Sequence, residues 1–146
     1  MNKSLPSLSL FGNTYLEHLE RRIHDSNNKQ FSDEDLLTLY SVYGTALQRA
    51  LDVLEKYPIV DTYSTANKGR VLIEIKGDND RCYRVFPRIN YCPCLGFRHQ
   101  VIEKRCQITC KHILVGRIAS ILGKTVDREV TQEQYLMLVQ SMFDVE

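Results

Sequence analysis

With 146 residues, 43% hydrophobic and 25% charged, the chain has the size of one domain with a modest core. No apolar run reaches the roughly 18 residues that a membrane-spanning helix requires, and the start MNKSLPSLSLFGN, broken by Ser and Pro, is not expected to act as a signal peptide. The net charge of +1 conceals a division, with 6 Lys/Arg against 9 Asp/Glu in residues 1–65, 12 against 4 in residues 66–124, and 1 against 5 in residues 125–146.

In chain order, Tyr15, Leu16, Leu19 and Ile23 recur at helical spacing and predict a helix over residues 13–24, broken by the polar run HDSNNKQ. Residues 1–30 are therefore read as a helix and polar linker with freedom to move, and residues 31–146 as one α+β domain. Ser32 is a good N-cap, and Asp33, Glu34 and Asp35 complement the dipole of the helix it opens. That helix is expected to run unbroken to Lys56, with Leu36, Tyr40, Tyr43, Leu47, Leu51 and Leu54 along one face. The period then changes: IVDTYST suggests a strand, and VLIEIKG and RCYRVF flank GDND as a hairpin. After the cysteine-rich segment, Leu114, Ile118, Ile121 and Leu122 predict a helix from about Lys111, closed by Gly123. Thr131 with Gln134 forms a capping box for a last helix striped by Tyr135, Leu138, Val139 and Met142, with Val130 and Tyr135 as a hydrophobic staple.

The segment YCPCLGFRHQVIEKRCQITCKH, residues 91–112, holds four of the five cysteines and two of the four histidines. An odd number of clustered cysteines points to a reducing compartment and to metal rather than disulfides. Cys92 and Cys94 face one side if extended, because strand side chains alternate. Cys110 and His112 cannot share an ion inside a regular helix, where i and i+2 diverge, but they can if Cys110 precedes the first turn and His112 lies in it. Three thiolates and an imidazole make a closed tetrahedral set, the preference of structural zinc. Two other readings remain open at this point: Cys106, at i, i+4 to Cys110, replaces His112 as a ligand, or the thiols are reduced and merely packed. A catalytic zinc would need an open position and a general base, and no HExxH or His-x-Glu arrangement is present. His99 and Glu103 read as an exposed helical pair, and Cys82 as core.

The basic centre places Arg84, Arg88, Arg98, Lys104, Arg105 and Lys111 among Tyr83, Phe86, Tyr91 and Phe97. Cations interleaved with aromatics suit phosphate contact and base stacking, so these six are candidates for contact with nucleic acid or with an acidic protein face. Solvated surface charge is the plainer reading. No GxxxxGK[ST] motif occurs, so ATP binding through a P-loop is not expected.

The pattern Cys-x-Cys-x15-Cys-x-His, following a hairpin and opening a helix, resembles a SWIM zinc finger. FSDEDLL, ALDVLEKY, KGRVLIEIKGDNDRCYRVF, YCPC and CKHILV, followed by the last helix, extend the resemblance over residues 31–143 to the small SWIM-domain subunits of Shu-type recombination complexes. The resemblance implies zinc ligation by Cys92, Cys94, Cys110 and His112, with the finger at about residues 81–123. It further implies a non-enzymatic nuclear subunit that pairs with a RecA-family recombinase paralogue. The pair would promote homologous recombination repair by assisting recombinase filaments on single-stranded DNA; a stand-alone single-stranded DNA-binding module is the alternative. Val115 stands where the family pattern has Ala, which raises the question of how closely this helix face meets its neighbour.

Overall fold

The computed structural model describes residues 5–144, so the first four residues of the expected N-terminal segment lie outside the described part. Helix α1 spans Leu5–His24 and begins well ahead of residue 13, with Leu16, Leu19 and Ile23 buried. Helix α2, Asp33–Tyr43, starts on the expected Ser32, whose hydroxyl accepts from the Asp35 amide at 3.1 Å while the Asp35 carboxylate accepts from the Ser32 amide at 2.9 Å. The predicted long helix then breaks. Gly44 takes φ 58°, donates its N–H to the Tyr40 carbonyl at 2.8 Å, and ends α2 before α3 runs over Thr45–Lys56. Only glycine holds that backbone conformation without strain, and the turn resets the buried face. Leu39 and Val42 go inside in place of Tyr40, which is 47% exposed, while Ala46, Leu47, Ala50 and Leu54 carry the core along α3.

Four strands follow, β1 at Val60–Ser64, β2 at Val71–Lys76, β3 at Cys82–Val85 and β4 at Thr125–Glu129, in spatial order β3-β2-β1-β4. The hairpin β2–β3 is antiparallel as its sequence predicts, with Ile73 opposite Val85 and Ile75 opposite Tyr83. Strand β4 was not expected. It pairs parallel to β1, with Val60 opposite Thr125 and Ser64 opposite Glu129, and makes the sheet mixed rather than a simple antiparallel one. TVDRE is short, polar and at an edge, so it lacks the hydrophobic alternation that marks a half-buried strand.

Alternation along β2 sends Ile73 and Ile75 to one face and Leu72 and Glu74 to the other. The first face meets α1, α3 and α4, the last at Lys111–Ile121, in one apolar cluster. The opposite face is capped by α5, Gln132–Ser141, through buried Tyr135 and the adjoining Met142, with Leu72 buried beneath. Thr131 and Gln134 form the predicted capping box of α5. Val115 lies in α4 with no exposed surface, so the core accommodates a larger side chain there than the Ala of the pattern the sequence resembles. The chain is thus α+β, and its cysteine-rich segment spans the gap between the end of β3 and the start of α4.

Candidate metal centre

Beyond Val85 the chain leaves the sheet. Pro87 and Pro93 remove backbone donors that a strand would use, and residues 86–94 run as irregular backbone with Arg88 at φ 64°. Cys92 and Cys94 therefore lie outside any strand, unlike the extended pairing expected from sequence, yet both thiols are buried. A π-helical turn over Phe97–Glu103 reverses direction, and the return segment delivers Cys110 as N-cap of α4, with φ −102° and ψ 168°. His112 is in the first turn. This is the arrangement that lets residues i and i+2 converge at a helix start.

The structure brings Cys92, Cys94, Cys110 and His112 together, with one potential ligand atom from each lying within 4.8 Å of the others. All four residues are buried, at 1%, 4%, 5% and 4% exposure. His112 presents Nδ1 to the sulfurs, 3.7 Å from Cys92 Sγ and 3.9 Å from Cys110 Sγ. Its Nε2 is buried without a hydrogen-bond partner among the described residues. The ring is held by Tyr83, stacked with centroids 4.0 Å apart. The Phe97 amide donates to Cys94 Sγ at 3.2 Å, a contact that favours the thiolate.

A clasp outside the four residues fixes the two arms. Thr109 Oγ1 donates to Asn90 Oδ1 at 2.7 Å, and Asn90 Nδ2 donates to the Ile108 carbonyl at 2.9 Å. Asn90 lies two residues before Cys92 and Thr109 one before Cys110, so the clasp sets the spacing of both ligand pairs. Nothing in the sequence singled these two out, because a lone Asn and a lone Thr in loops carry no periodic signal.

The electrostatics of the thiols indicate what the cluster needs. Hydrogen bonds from Cys110 and Cys92 pull the Cys94 thiol far below its ordinary range. Cys92, hydrogen-bonded to Cys110 and Cys94 and shut away from water, is pushed far up. For Cys110 the Cys92 bond acts downward, but the Cys94 bond, burial and the Cys94 charge outweigh it and push the thiol up to about 12. Burial and mutual repulsion thus oppose ionisation of all three crowded thiols in a dry site. A divalent cation reverses that balance by neutralising the thiolates as it binds them. Sulfur donors disfavour Mg²⁺ and Ca²⁺, and three thiolates with one imidazole fit a four-coordinate soft or borderline ion.

The remaining candidates disperse. Cys106 is exposed and its thiol donates to Gln100 Oε1 at 2.7 Å, outside the cluster. His99 and Glu103 form an exposed pair at 3.4 Å on the π-helical turn. Cys82 is half-buried on the sheet face that carries Arg84 and Glu74, away from the centre. Arg84 does not join a basic surface. It points under α5, bonded to Glu74 Oε2 at 3.0 Å and Ser141 Oγ at 2.6 Å, because cross-strand pairing sets it opposite Glu74. Arg88 turns to Glu17 and Glu20 of α1, at 4.0 and 3.4 Å, and Arg98 to Glu103 at 3.4 Å. Lys104 and Arg105 are exposed beyond the π-helical turn, and half-buried Lys111 opens α4 beside the centre.

No family model matches the chain, and no solved structure matches it. The chain is similar to zinc finger SWIM domain-containing protein 7 of Danio rerio, 28% identical over 109 residues that cover 75% of this chain and 76% of that protein. The Homo sapiens protein of the same name is 28% identical over 102 residues, covering 70% and 71%. The Dictyostelium discoideum homolog is 25% identical over 118 residues, covering 80% and 75%. These relatives are named as SWIM zinc finger proteins, and this chain carries a buried Cys-Cys-Cys-His cluster at the spacing through which it resembles that finger.

Proposed function

We propose that this chain is a zinc-stabilised, non-enzymatic subunit of a Shu-type complex. It pairs with a RecA-family recombinase paralogue in the nucleus and promotes homologous recombination repair by assisting recombinase filaments on single-stranded DNA. The observation that carries the reading is the buried cluster of Cys92, Cys94, Cys110 and His112 in a chain similar to SWIM zinc finger proteins along most of its length. Three thiolates and an imidazole are a donor set of closed structural zinc sites, and their softness disfavours Mg²⁺ and Ca²⁺. Four protein donors complete a tetrahedral shell, so the ion's role is to hold the arms of the finger rather than to activate water. ATP turnover, where the complex requires it, belongs to the partner, since this chain has no P-loop motif.

The test is recovery of the tagged full chain from cells, read for a RecA-family paralogue and for zinc. The wild type is expected to retain both, and Cys110→Ser to lose both. Recovery without any such paralogue would remove the Shu reading, and a Cys110→Ser protein still loaded with zinc would remove the ligand assignment.

A further inference from the structure

The clasp of Asn90 and Thr109 borders a cavity to which none of the four clustered metal-ligand candidates contributes. Helices α1 and α4, the end of α2, strands β2 and β3 and both arms of the finger supply its lining. Leu16, Ile73, Val85, Ile113 and Leu114 make much of that lining apolar. The space inside is about 60 Å³ for the centres of water-sized molecules, room for about four to six waters at roughly 10–15 Å³ each.

Two donors on this lining lack an acceptor. Arg117 of α4 donates from Nη1 to Asn13 Oδ1 at the long distance of 3.4 Å, and its Nη2 is buried with no hydrogen-bond partner among the described residues. No carboxylate of the described residues pairs with it, and the two glutamates of α1 nearest the cavity are taken by Arg88. The Tyr43 hydroxyl makes no hydrogen bond among the described residues either. Burial pushes its pKa up to about 12 against the pull of the Arg117 charge, so at neutral pH it remains a donor. Gly12 of α1 gives this phenol its place, since a Cβ there would stand 2.9 Å from Tyr43 Cζ. Asn90 and Thr109 are spent on the clasp. What the cavity lacks is therefore an acceptor, and beside an unpaired guanidinium an anionic one.

We propose that this cavity binds a carboxylate carried on a short branched apolar stem, with Arg117 and Tyr43 donating to the carboxylate and the stem packed on the aliphatic lining. A guanidinium presents a planar fork that matches the two oxygens of a carboxylate. Mostly apolar walls with a few convergent polar groups are the usual form of a small-ligand site. Two spare donors are too few to replace the hydration of a phosphate dianion, and the volume leaves no room for a nucleotide. The same chemistry ends a free branched-chain acid and a protein chain whose last residue is leucine. An occupant also meets Asn90 and Thr109, and so packs against the clasp that spaces the two ligand pairs. The recombination reading plays no part in this assignment.

The experiment titrates the full zinc-loaded chain with isocaproate, with its neutral amide isocaproamide and with N-acetyl-leucine, followed by amide NMR. Isocaproate is expected to shift the amides of Asn13, Tyr43 and Arg117 saturably. Isocaproamide should bind about tenfold or more weakly, because a bond assisted by two charges is lost. Arg117→Gln, with zinc content and thermal melt checked against the wild type, should weaken isocaproate by about tenfold or more and leave isocaproamide unchanged. Tyr43→Phe should weaken isocaproate by about threefold. Arg117 is half-buried, and the comparison of acid with amide on the wild type stands even where its variant fails to fold. Tighter binding of N-acetyl-leucine than of isocaproate supports the proposal with a protein chain end as occupant, and the reverse order supports it with a free acid. Absence of saturable shifts with both acids overturns the proposal. Equal binding of isocaproamide, or unchanged isocaproate affinity in a folded Arg117→Gln, overturns it as well.

Discussion

Tyr83 lies flat against His112, ring centroids 4.0 Å apart and planes inclined by 25°. A residue of the β2–β3 hairpin thereby forms the wall against which a candidate metal ligand rests, and this ring contact joins the sheet to the finger beside the apolar cluster that both enter. Removing an outer group that orients a ligating histidine commonly changes metal affinity by about 10–100-fold. Tyr83→Phe, which keeps the ring, should leave zinc affinity close to wild type. Tyr83→Ala should lower it within that range and destabilise the fold by about 3 kcal/mol, read by chelator competition and denaturant unfolding.

Loss of a ligand is expected to be more severe. Cys110→Ser leaves two thiols and an imidazole at the amino end of α4 and should reduce zinc affinity beyond the roughly 100-fold upper range for an outer group. Cys106→Ser, which changes an exposed thiol outside the cluster, should leave the zinc content at one ion per chain. Elemental analysis of the two purified variants separates the ligand set from the rival one that includes Cys106.

The clasp between Asn90 and Thr109 can be tested independently of the ligands. Thr109→Val keeps the shape but removes the donor to Asn90 Oδ1, leaving a hydrogen-bonding group with an incomplete set of partners. A cost of about 1–2 kcal/mol is expected from thermal or denaturant unfolding of the zinc-loaded protein. No change in stability would show that the two arms are aligned by the ion alone.

A pH dependence follows from the joint between α1 and α2. Burial acts to raise the Asp35 carboxyl, but hydrogen bonds from Arg22, Ser32 and Tyr15 outweigh it and hold its pKa at about 2, below the ordinary 3.8. A carboxyl depressed on folding contributes stability that is complete above the unfolded pKa and is lost as pH falls from near 3.8 toward 2. The contribution is on the order of 1 kcal/mol, less than the full shift implies because Arg22 is 46% exposed. Asp35→Asn should lower stability at neutral pH and flatten the acid limb in that window, measured by urea unfolding at a series of pH values.

Gly44→Ala offers a check on the break between α2 and α3. At φ 58° and ψ −136° an alanine is strained, although nothing within 4 Å would collide with its Cβ. The loss should be about 1–3 kcal/mol from backbone conformation alone. Denaturant midpoints should be lowered more by Gly44→Ala than by Gly44→Asn, which tolerates positive φ better.

Where local chemistry decides the outcome, the sequence was legible. Ser32 and Thr131 cap helices because their partners lie three residues away, and Cys110 precedes α4 because the apolar period begins there. Where a distant partner decides, it was not. TVDRE becomes β4 only beside β1, some sixty residues earlier, where Thr62 and Ser64 donate to Asp127 at 2.8 Å each. Arg84 reads as a free cation until strand register sets it opposite Glu74. Gly44 is ambiguous in the sequence because one glycine in an apolar helical pattern is compatible with either a continuous helix or a break.

The parallel pairing of β1 with β4 has a consequence for how the finger is inherited. The entire cysteine-rich segment lies on the path between those two neighbouring strands, so its two ends are tied into one sheet. It is not a bead that could be cut out and strung into another protein with the remainder left whole. Deleting it would separate β4 and α5 from the strands they complete, and transplanting it would leave behind Tyr83 and the apolar cluster into which the thiols pack. Selection on the metal site and selection on the sheet therefore act on a single object.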